Sequence, residues 1–122
     1  MEIIIMVGPK KCGKTRLAYR LQVEMGVFGE NVFCYHHNPK LKNILKDIPE
    51  SCSKASILLD DMSPLSIKSF RDFIDDKTFQ DKILGCILIP PYIPDYLCQM
   101  KGVQVWDEFR IKAELYRRGI KI

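Results

Sequence analysis

The residue types and spacing with the clearest chemical meaning lie near the N-terminus, where positions 8–15 read GPKKCGKT. This segment, here called the glycine loop, follows the spacing G-x-x-x-x-G-K-[ST] at every fixed position. Glycines let a backbone curl round an anion with its N–H groups pointing inward, and the positive end of a following helix strengthens the attraction. Lys14 would meet the β- and γ-phosphates of a nucleotide, and the Thr15 hydroxyl would ligate the Mg²⁺ that bridges them. The pattern therefore predicts a phosphate-binding site.

The predicted nucleotide site covers the whole glycine loop and the residue after it. Lys14 is predicted to be catalytic as well as nucleotide-binding. Oxidation of Cys12 would block the site, although a small residue that fills space is the simpler reading of this cysteine. The predicted nucleotide-binding residues are Gly8, Pro9, Lys10, Lys11, Cys12, Gly13, Lys14, Thr15 and Arg16.

The elements that must position this loop follow from the apolar pattern. Strand-length apolar runs alternate with segments of helical period, which is typical of a parallel sheet covered by helices. The predicted strands are 2–7, 32–36, 55–60, 83–89 and 103–106. Helices are expected from about Lys14, over 40–47, from Pro64 behind an N-cap at Ser63, and over about 107–118. This order predicts an α/β fold of three layers, α/β/α, with a five-stranded parallel sheet.

Length and composition indicate one globular domain. The 122 residues leave too little sequence for a second core, so residues 1–122 are expected to form a single domain. Apolar residues make up 47% and charged residues 28%, which excludes a disordered chain. The net charge of +4 is compatible with a polyanionic partner but does not require one.

The apolar runs are too short for a membrane-spanning helix. The longest, 3–7 and 83–89, have the length of strands, whereas such a helix needs roughly 20 residues. Glu2 stands where an export signal would be basic, and the five cysteines are odd in number and lack the spacing of a disulfide framework. We therefore expect reduced thiols, no membrane partner and a cytoplasmic location, which is the host cytoplasm if the chain is viral.

With the glycine loop between a predicted buried strand and a predicted amphipathic helix, the chain resembles the P-loop NTPases. Residues 57–61, ILLDD, look like the Walker B segment of that family. The resemblance covers nearly the whole chain, although only these two motifs are specific, and it implies the sheet order 5-1-4-3-2. It also implies that Asp60 holds Mg²⁺ through its water shell. Asp61 occupies the place where the additional-strand ATPases have a Glu or Asp that polarises the attacking water; the alternative is a solvated acidic turn.

Two features of that family are not found at their expected places. The fourth strand usually ends in a polar sensor that touches the γ-phosphate, but residues 87–92 read ILIPPY. An arginine finger cannot be assigned, and one that acts in trans would require an oligomer. The candidates are Arg16, Arg20, Arg71, Arg110, Arg117 and Arg118.

Two further groups are interpreted as structural rather than functional. Residues of zinc-ligand type occur without the close pairs of a zinc site, at Cys34, His36, His37 and Cys52. A set of lysines could make a polyanion track, but a solvated helix face is the favoured reading for Lys40, Lys42 and Lys46 with Lys10 and Lys11.

A pair of tyrosines leaves two readings open. Tyr92 and Tyr96 stand in a proline-rich loop that follows the fourth predicted strand, above the sheet edge. Their rings could stack on a nucleic-acid base. They could equally anchor the loop.

The resemblance and the motifs together lead us to expect an enzyme, a Mg²⁺-dependent ATPase. ATP or another NTP and Mg²⁺ are the expected cofactors, and DNA or RNA is a candidate partner, as in the small viral and plasmid helicase and packaging ATPases that the chain loosely resembles. So short a core lacks the appended nucleic-acid or oligomerisation domains that most such motors carry, so a homo-oligomer or a companion protein is the expected partner. The alternatives are a small phosphotransferase that acts on a nucleotide or metabolite, and a nucleotide-binding interaction module with little turnover.

Overall fold

The strands of the protein form one parallel sheet. The computed structural model describes residues 2–24, 32–36, 44, 46–48 and 55–121. All four strand pairs are parallel, and the sheet order is β2-β3-β4-β1-β5. Read from the opposite edge, this order is 5-1-4-3-2. The strands are β1 (Glu2–Met6), β2 (Val32–His36), β3 (Ala55–Asp60), β4 (Ile83–Leu88) and β5 (Val103–Trp106).

Helices cover both faces of this sheet, so the predicted α/β class with five parallel strands is confirmed. Alternate residues of each strand point to opposite faces and join two separate apolar clusters. The fully described helices are α1 (Lys14–Glu24), α2 (Pro64–Asp75), α3 (Lys77–Lys82), α4 (Asp95–Cys98) and α5 (Glu108–Arg117). Helices α2, α3 and α4 pack on one face, and α1 and α5 pack on the other.

The predicted strand ends differ from the observed ones by a single residue. Strand β1 ends at Met6 and β4 at Leu88, whereas Val7 and Ile89 were expected to belong to them. Both residues nevertheless continue the hydrogen bonding between strands, since the Val7 amide donates to Trp106 at 3.1 Å and the Ile89 amide to Leu59 at 2.9 Å.

Capping residues explain where α2 and α3 begin. The Ser63 hydroxyl accepts a hydrogen bond from the Ser66 amide, and Pro64 occupies the first turn, as predicted for α2. Helix α3 is not predicted from the sequence. It is only six residues long and buries Phe79, so no apolar period is visible, and its N-cap Asp76 accepts from the Phe79 amide at 2.9 Å.

Only part of the predicted basic helix 40–47 belongs to the described residues. Ile44, Lys46 and Asp47 have helical backbone, and Ile44 and Ile48 are buried. Lys40 and Lys42 lie outside the described residues. In the part of the chain that is described, no helix has both the length and the apolar character needed to cross a bilayer.

Three phenylalanines form the centre of the apolar cluster beneath α2 and α3. Phe79 is fully buried, and its ring centroid lies 4.9 Å from that of Phe73 and 6.4 Å from that of Phe70, both in edge-to-face arrangements. These contacts fasten the short α3 to α2 and hold both helices on the sheet.

Replacing Phe79 with alanine should lower the free energy of unfolding by about 3–4 kcal/mol, because the cavity left in a dense core cannot close fully. Urea denaturation followed by circular dichroism measures this loss. Phe109→Ala is the matched control: Phe109 is 84% exposed, and its replacement should change stability by less than about 0.5 kcal/mol. Equal losses in the two variants would contradict the assignment of Phe79 to the core.

Candidate functional site

The backbone of the glycine loop has the curvature that an anion site requires. Lys11 and Gly13 adopt left-handed conformations with φ of 65° and 92°, and Cys12 between them does not. Such an alternation turns successive N–H groups toward one side of the chain and makes a concave anion-binding surface. Helix α1 begins immediately afterward at Lys14, so its positive end faces the same place.

One residue of the glycine loop, Cys12, packs into the apolar core. Cys12 is buried against the face of the sheet that carries α1 and α5. A Cβ atom on Gly8 would lie 3.2 Å from the Cys12 sulfur and 3.8 Å from the Cα atom of Glu108, the first residue of α5. An alanine at position 8 would therefore need the Cys12 sulfur to move by a few tenths of an ångström, whereas its contact with Glu108 would be an ordinary one. The Cys12 side chain fills space beneath the loop.

Lys14 and Thr15 extend from the first turn of α1. The Lys14 Nζ atom donates a hydrogen bond of 2.5 Å to the carbonyl of Gly8, which places the ammonium group across the mouth of the loop. The Thr15 hydroxyl donates to the carboxylate of Asp60, with 3.0 Å between Oγ1 and Oδ2. Helix α1 and strand β3, whose motif residues stand 45 positions apart in the chain, thus meet at this hydrogen bond.

Asp60 is the last residue of β3, and both of its carboxylate oxygens accept hydrogen bonds. Oδ2 accepts from Thr15, and Oδ1 accepts from the backbone amide of Asp61 at 2.8 Å. Asp61 has φ of 50°, a left-handed conformation that aspartate tolerates better than most residues. This turn takes the chain out of β3 and brings Asp61 beside Asp60 at the carboxyl edge of the sheet.

A cleft of about 570 Å³ lies between the glycine loop and the end of β3, a size typical of ligand sites. We call it the loop cleft. Its far wall is formed by apolar residues that follow β3 and β4. The residues that line it are Gly8, Lys10, Lys11, Lys14, Thr15, Asp60, Asp61, Met62, Ile89, Pro90 and Pro91. Ile89, Pro90 and Pro91 were not identified from the sequence as site residues, because apolar side chains there carry no chemical signal.

The remaining predicted nucleotide-binding residues lie around the loop cleft but do not line it. Pro9 is exposed, and Cys12 is buried. Gly13 and Arg16 line a neighbouring cavity of about 300 Å³ together with Lys11, Lys14 and Thr15. The Arg16 guanidinium donates to the backbone carbonyl of Lys121.

The pair Thr15 and Asp60 fits a magnesium ion. A hydroxyl and a carboxylate are hard oxygen ligands, and oxygens 3.0 Å apart can contact one ion or its inner water shell. Within the described ranges no cluster of three or more His, Cys, Asp or Glu side chains is placed to hold a metal. Mg²⁺ commonly binds through one or two carboxylates plus substrate phosphates and water, so this sparse ligand set suits Mg²⁺.

A buried polar contact that was not predicted ties α1 to β3. Gln22 and Ser56 are fully buried, and the Gln22 amide lies 3.3 Å from the Ser56 hydroxyl. The Cys34 thiol of β2 donates to the Gln22 side chain at 3.4 Å. Gln22 follows Ala18 by four positions on the buried face of α1, and this polar residue in an apolar stripe is the signal that could have revealed it. The contact sets the distance between the helix of Lys14 and the strand of Asp60.

Cys34 is the one residue of the zinc-ligand group whose side chain lies within the described part of the chain. Partial burial raises the pKa of the Cys34 thiol, and the nearby carboxylate of Asp60 raises it further. Partial burial likewise raises the pKa of Tyr19, which forms a hydrogen bond with Cys34. His37 and Cys52 lie outside the described residues, and the side chain of His36 is not described.

Most of the arginine-finger candidates contact other groups in the described part of the chain. The Arg118 side chain pairs with Glu24 at 2.7 Å and with Glu114, to which Arg117 also pairs at 2.7 Å. The guanidinium groups of Arg110 and Arg71 lie 4.5 Å and 5.8 Å from aromatic ring centroids. Arg16 contacts Lys121 as described above, and Arg20 is exposed on α1.

The structure thus brings four of the predicted site residues to the lining of one cleft. These are Lys14, Thr15, Asp60 and Asp61. They come from α1 and the end of β3, which lie in different layers of the fold. A comparison of the chain with family models, with curated proteins and with solved structures finds no match.

Proposed function

We propose that the chain binds a nucleoside triphosphate with Mg²⁺ in the loop cleft and hydrolyses its terminal phosphate. The observation that carries this proposal is the hydrogen bond between Thr15 and Asp60, 3.0 Å long. It joins the hydroxyl of one motif to the carboxylate of another, and the sequence predicts the same chemistry for both motifs. The parallel sheet brings the ends of β1 and β3 to one edge, and the specific support for the proposal is that these two side chains are in direct contact there.

The glycine loop supplies the binding of the triphosphate. Its left-handed residues at 11 and 13 curl the backbone, and the start of α1 contributes its partial positive charge. Lys14 would leave the carbonyl of Gly8 and contact the β- and γ-phosphate oxygens, because a phosphate is a stronger partner for an ammonium group than a neutral carbonyl is.

Thr15 and Asp60 would hold the metal beside these phosphates. Bound Mg²⁺ supplies positive charge that offsets the charge on the β- and γ-phosphate oxygens. The Asp61 amide already fixes the orientation of the Asp60 carboxylate, so this group needs little reorganisation to accept a ligand.

Asp61 would act on the attacking water. Asp61 lines the loop cleft next to Asp60, and its carboxylate would orient the water and accept a proton from it as the water oxygen bonds to the γ-phosphorus. The bond between that phosphorus and the leaving diphosphate oxygen then breaks, which releases the nucleoside diphosphate and inorganic phosphate.

Hydrolysis of ATP and of GTP by the purified protein, with Mg²⁺ and with a chelator, tests the proposal. Asp61→Asn should lower kcat by about a hundredfold, because asparagine keeps the shape but cannot take the proton. Nucleotide affinity should change little. Asparagine tolerates the left-handed backbone at position 61, so the turn should remain intact.

Asp81→Asn is the matched control for this variant. Asp81 is exposed on α3 and does not line the loop cleft, so its replacement should leave kcat unchanged. If the protein binds nucleotide but releases no phosphate, the hydrolytic part of the proposal is wrong, and a binding module is the better description. Release of diphosphate only when a nucleotide or metabolite acceptor is added would identify a phosphotransferase instead.

A further inference from the structure

A second groove lies beside the loop cleft, on the face of the sheet that carries α2. It has a volume of about 430 Å³, and we call it the tyrosine groove. Its lining combines aromatic rings, prolines and charged side chains. The residues are Pro64, Ile67, Lys68, Arg71, Tyr92, Pro94, Asp95 and Tyr96.

The two tyrosines of this groove have different roles. The Tyr96 hydroxyl donates to the backbone carbonyl of Ile67, and its ring lies 5.8 Å from the Arg71 guanidinium. Burial raises the pKa of Tyr96 to about 12, so the hydroxyl stays protonated and can donate. Tyr96 therefore anchors the segment after β4 to α2. Tyr92, in contrast, is 50% exposed, so one aromatic ring is fixed in the wall and another is presented to solvent.

Two cations stand along one side of the tyrosine groove. Lys68 and Arg71 lie three positions apart on α2, so they share a helix face, and both are exposed. Asp95 is the acidic residue in the lining, which leaves the groove with a net positive charge. Exposed cations next to an exposed aromatic ring are the combination that recognises a phosphate and a base together.

The tyrosine groove and the loop cleft have different lining residues, but these come from the same two chain segments, 62–64 and 90–92. Met62, Pro90 and Pro91 line the loop cleft, whereas Pro64 and Tyr92 line the tyrosine groove. Met62 and Pro64 belong to one short segment, and Pro90, Pro91 and Tyr92 belong to another. The Met62 amide donates to the carbonyl of Ile89 at 3.1 Å, and this hydrogen bond joins the two segments. A ligand in the tyrosine groove would therefore contact the segments that also border Asp61.

We propose that the tyrosine groove binds single-stranded nucleic acid, with a base stacked on Tyr92 and the adjoining phosphates contacted by Lys68 and Arg71. Single strands are favoured over duplexes because only an unpaired base offers its face to an aromatic ring. Binding itself is independent of the hydrolysis proposed above. Stimulation of hydrolysis by the bound strand, through the shared segments 62–64 and 90–92, does rest on that proposal.

Fluorescence anisotropy with a labelled oligothymidylate or oligouridylate, without any nucleoside triphosphate, tests the binding. Tyr92→Ala should weaken binding at least about fivefold, the low end of the range measured for stacking contacts. Tyr92→Phe keeps the ring and should bind within about twofold of wild type. Tyr116→Ala is the matched control, because Tyr116 is 89% exposed on α5 and lies outside the groove.

The salt dependence of binding tests the two cations separately from the ring. Each lost phosphate contact on a single strand reduces the slope of log K against log[salt] by about 0.7, so Lys68→Ala/Arg71→Ala should reduce it by about 1.4. Lys101→Ala should leave the slope unchanged, because Lys101 precedes β5 at the opposite edge of the sheet. Thermal unfolding of every variant shows whether the fold is intact.

Three results would overturn the proposal: Tyr92→Ala binding as tightly as Tyr116→Ala in folded protein, equal affinity for duplex and single strand, or competition by a mononucleotide as strong as that by the oligonucleotide. The last result would identify the groove as a site for a free nucleotide. A Lys14→Ala variant separates this proposal from the previous one. It should retain strand binding even though it loses nucleotide binding, so either proposal can fail alone.

Discussion

Lys14→Ala should lower kcat/KM for nucleotide hydrolysis by about a thousandfold, because the transition-state charge on the phosphates loses its lysine partner. Lys14 brings a full positive charge to the mouth of the glycine loop, where its Nζ atom lies 2.5 Å from the Gly8 carbonyl. Alanine preserves the helix and removes the charge, because Lys14 begins α1 and alanine is the best helix former. A loss of both binding and turnover is therefore expected without a loss of folding.

Nucleotide binding, measured by equilibrium titration with a fluorescent nucleotide, accompanies the rate measurement. Lys101→Ala serves as a control for the loss of one lysine, since it changes the net charge equally at the opposite edge of the sheet. If Lys14→Ala kept wild-type binding and turnover, the glycine loop would not be a phosphate site, and the proposed function would be wrong.

Asp60→Asn should lower hydrolysis on the order of a thousandfold at a Mg²⁺ concentration that saturates the wild type. The carboxylate accepts from Thr15 with one oxygen and from the Asp61 amide with the other. An asparagine side chain has one oxygen and one donor nitrogen, so it loses the charge and one of these two hydrogen bonds. Both losses weaken the metal site while the size of the side chain stays the same.

A Mg²⁺ titration of the hydrolysis rate distinguishes this cause from a general loss of activity. The concentration of Mg²⁺ needed for half-maximal rate should rise, and added Mg²⁺ should restore part of the activity. Asp75→Asn is a suitable control, because Asp75 is exposed at the end of α2, away from the loop cleft. An unchanged Mg²⁺ requirement in Asp60→Asn would exclude Asp60 from the metal site.

Phosphate release by Lys14→Ala and by Asp60→Asn should fail for different reasons. The lysine variant should bind nucleotide poorly at any Mg²⁺ concentration, whereas the aspartate variant should respond to added metal. These two patterns together would assign phosphate binding to α1 and metal binding to β3.

The fold was predictable because its strands are continuous apolar runs. Strands β2, β3 and β5 have the predicted bounds, and the start of α2 follows from the Ser63 cap and Pro64. Helix α3 was not predicted, because its six residues contain a single buried side chain and are too few to show the apolar periodicity of a helix.

Some features of the candidate site could likewise be predicted from the sequence, and others could not. The glycine loop is recognisable in the sequence because an anion cradle is local, made by consecutive backbone groups and the helix that follows. The choice between anchoring and stacking for Tyr92 and Tyr96 depended on which ring reaches a carbonyl of α2, a contact 29 residues distant in the chain. The partner of Gln22, Ser56, could not be predicted from the sequence either. A buried polar side chain forms hydrogen bonds with the strand that packs against it, and the identity of that strand depends on the fold.

The amino-acid pattern was enough to predict the parallel α/β character, the bounds of most strands, and the residue types that could bind a phosphate and a metal. These depend on spacing within short segments, where the backbone period alone decides which side chains share a face. The folded chain was needed to show that Thr15 lies 3.0 Å from Asp60, that Cys12 is buried under the loop, and that Tyr92 is exposed whereas the Tyr96 hydroxyl is bound to Ile67. Each of these outcomes depends on how elements from different parts of the chain pack, and packing distances are not encoded in local spacing.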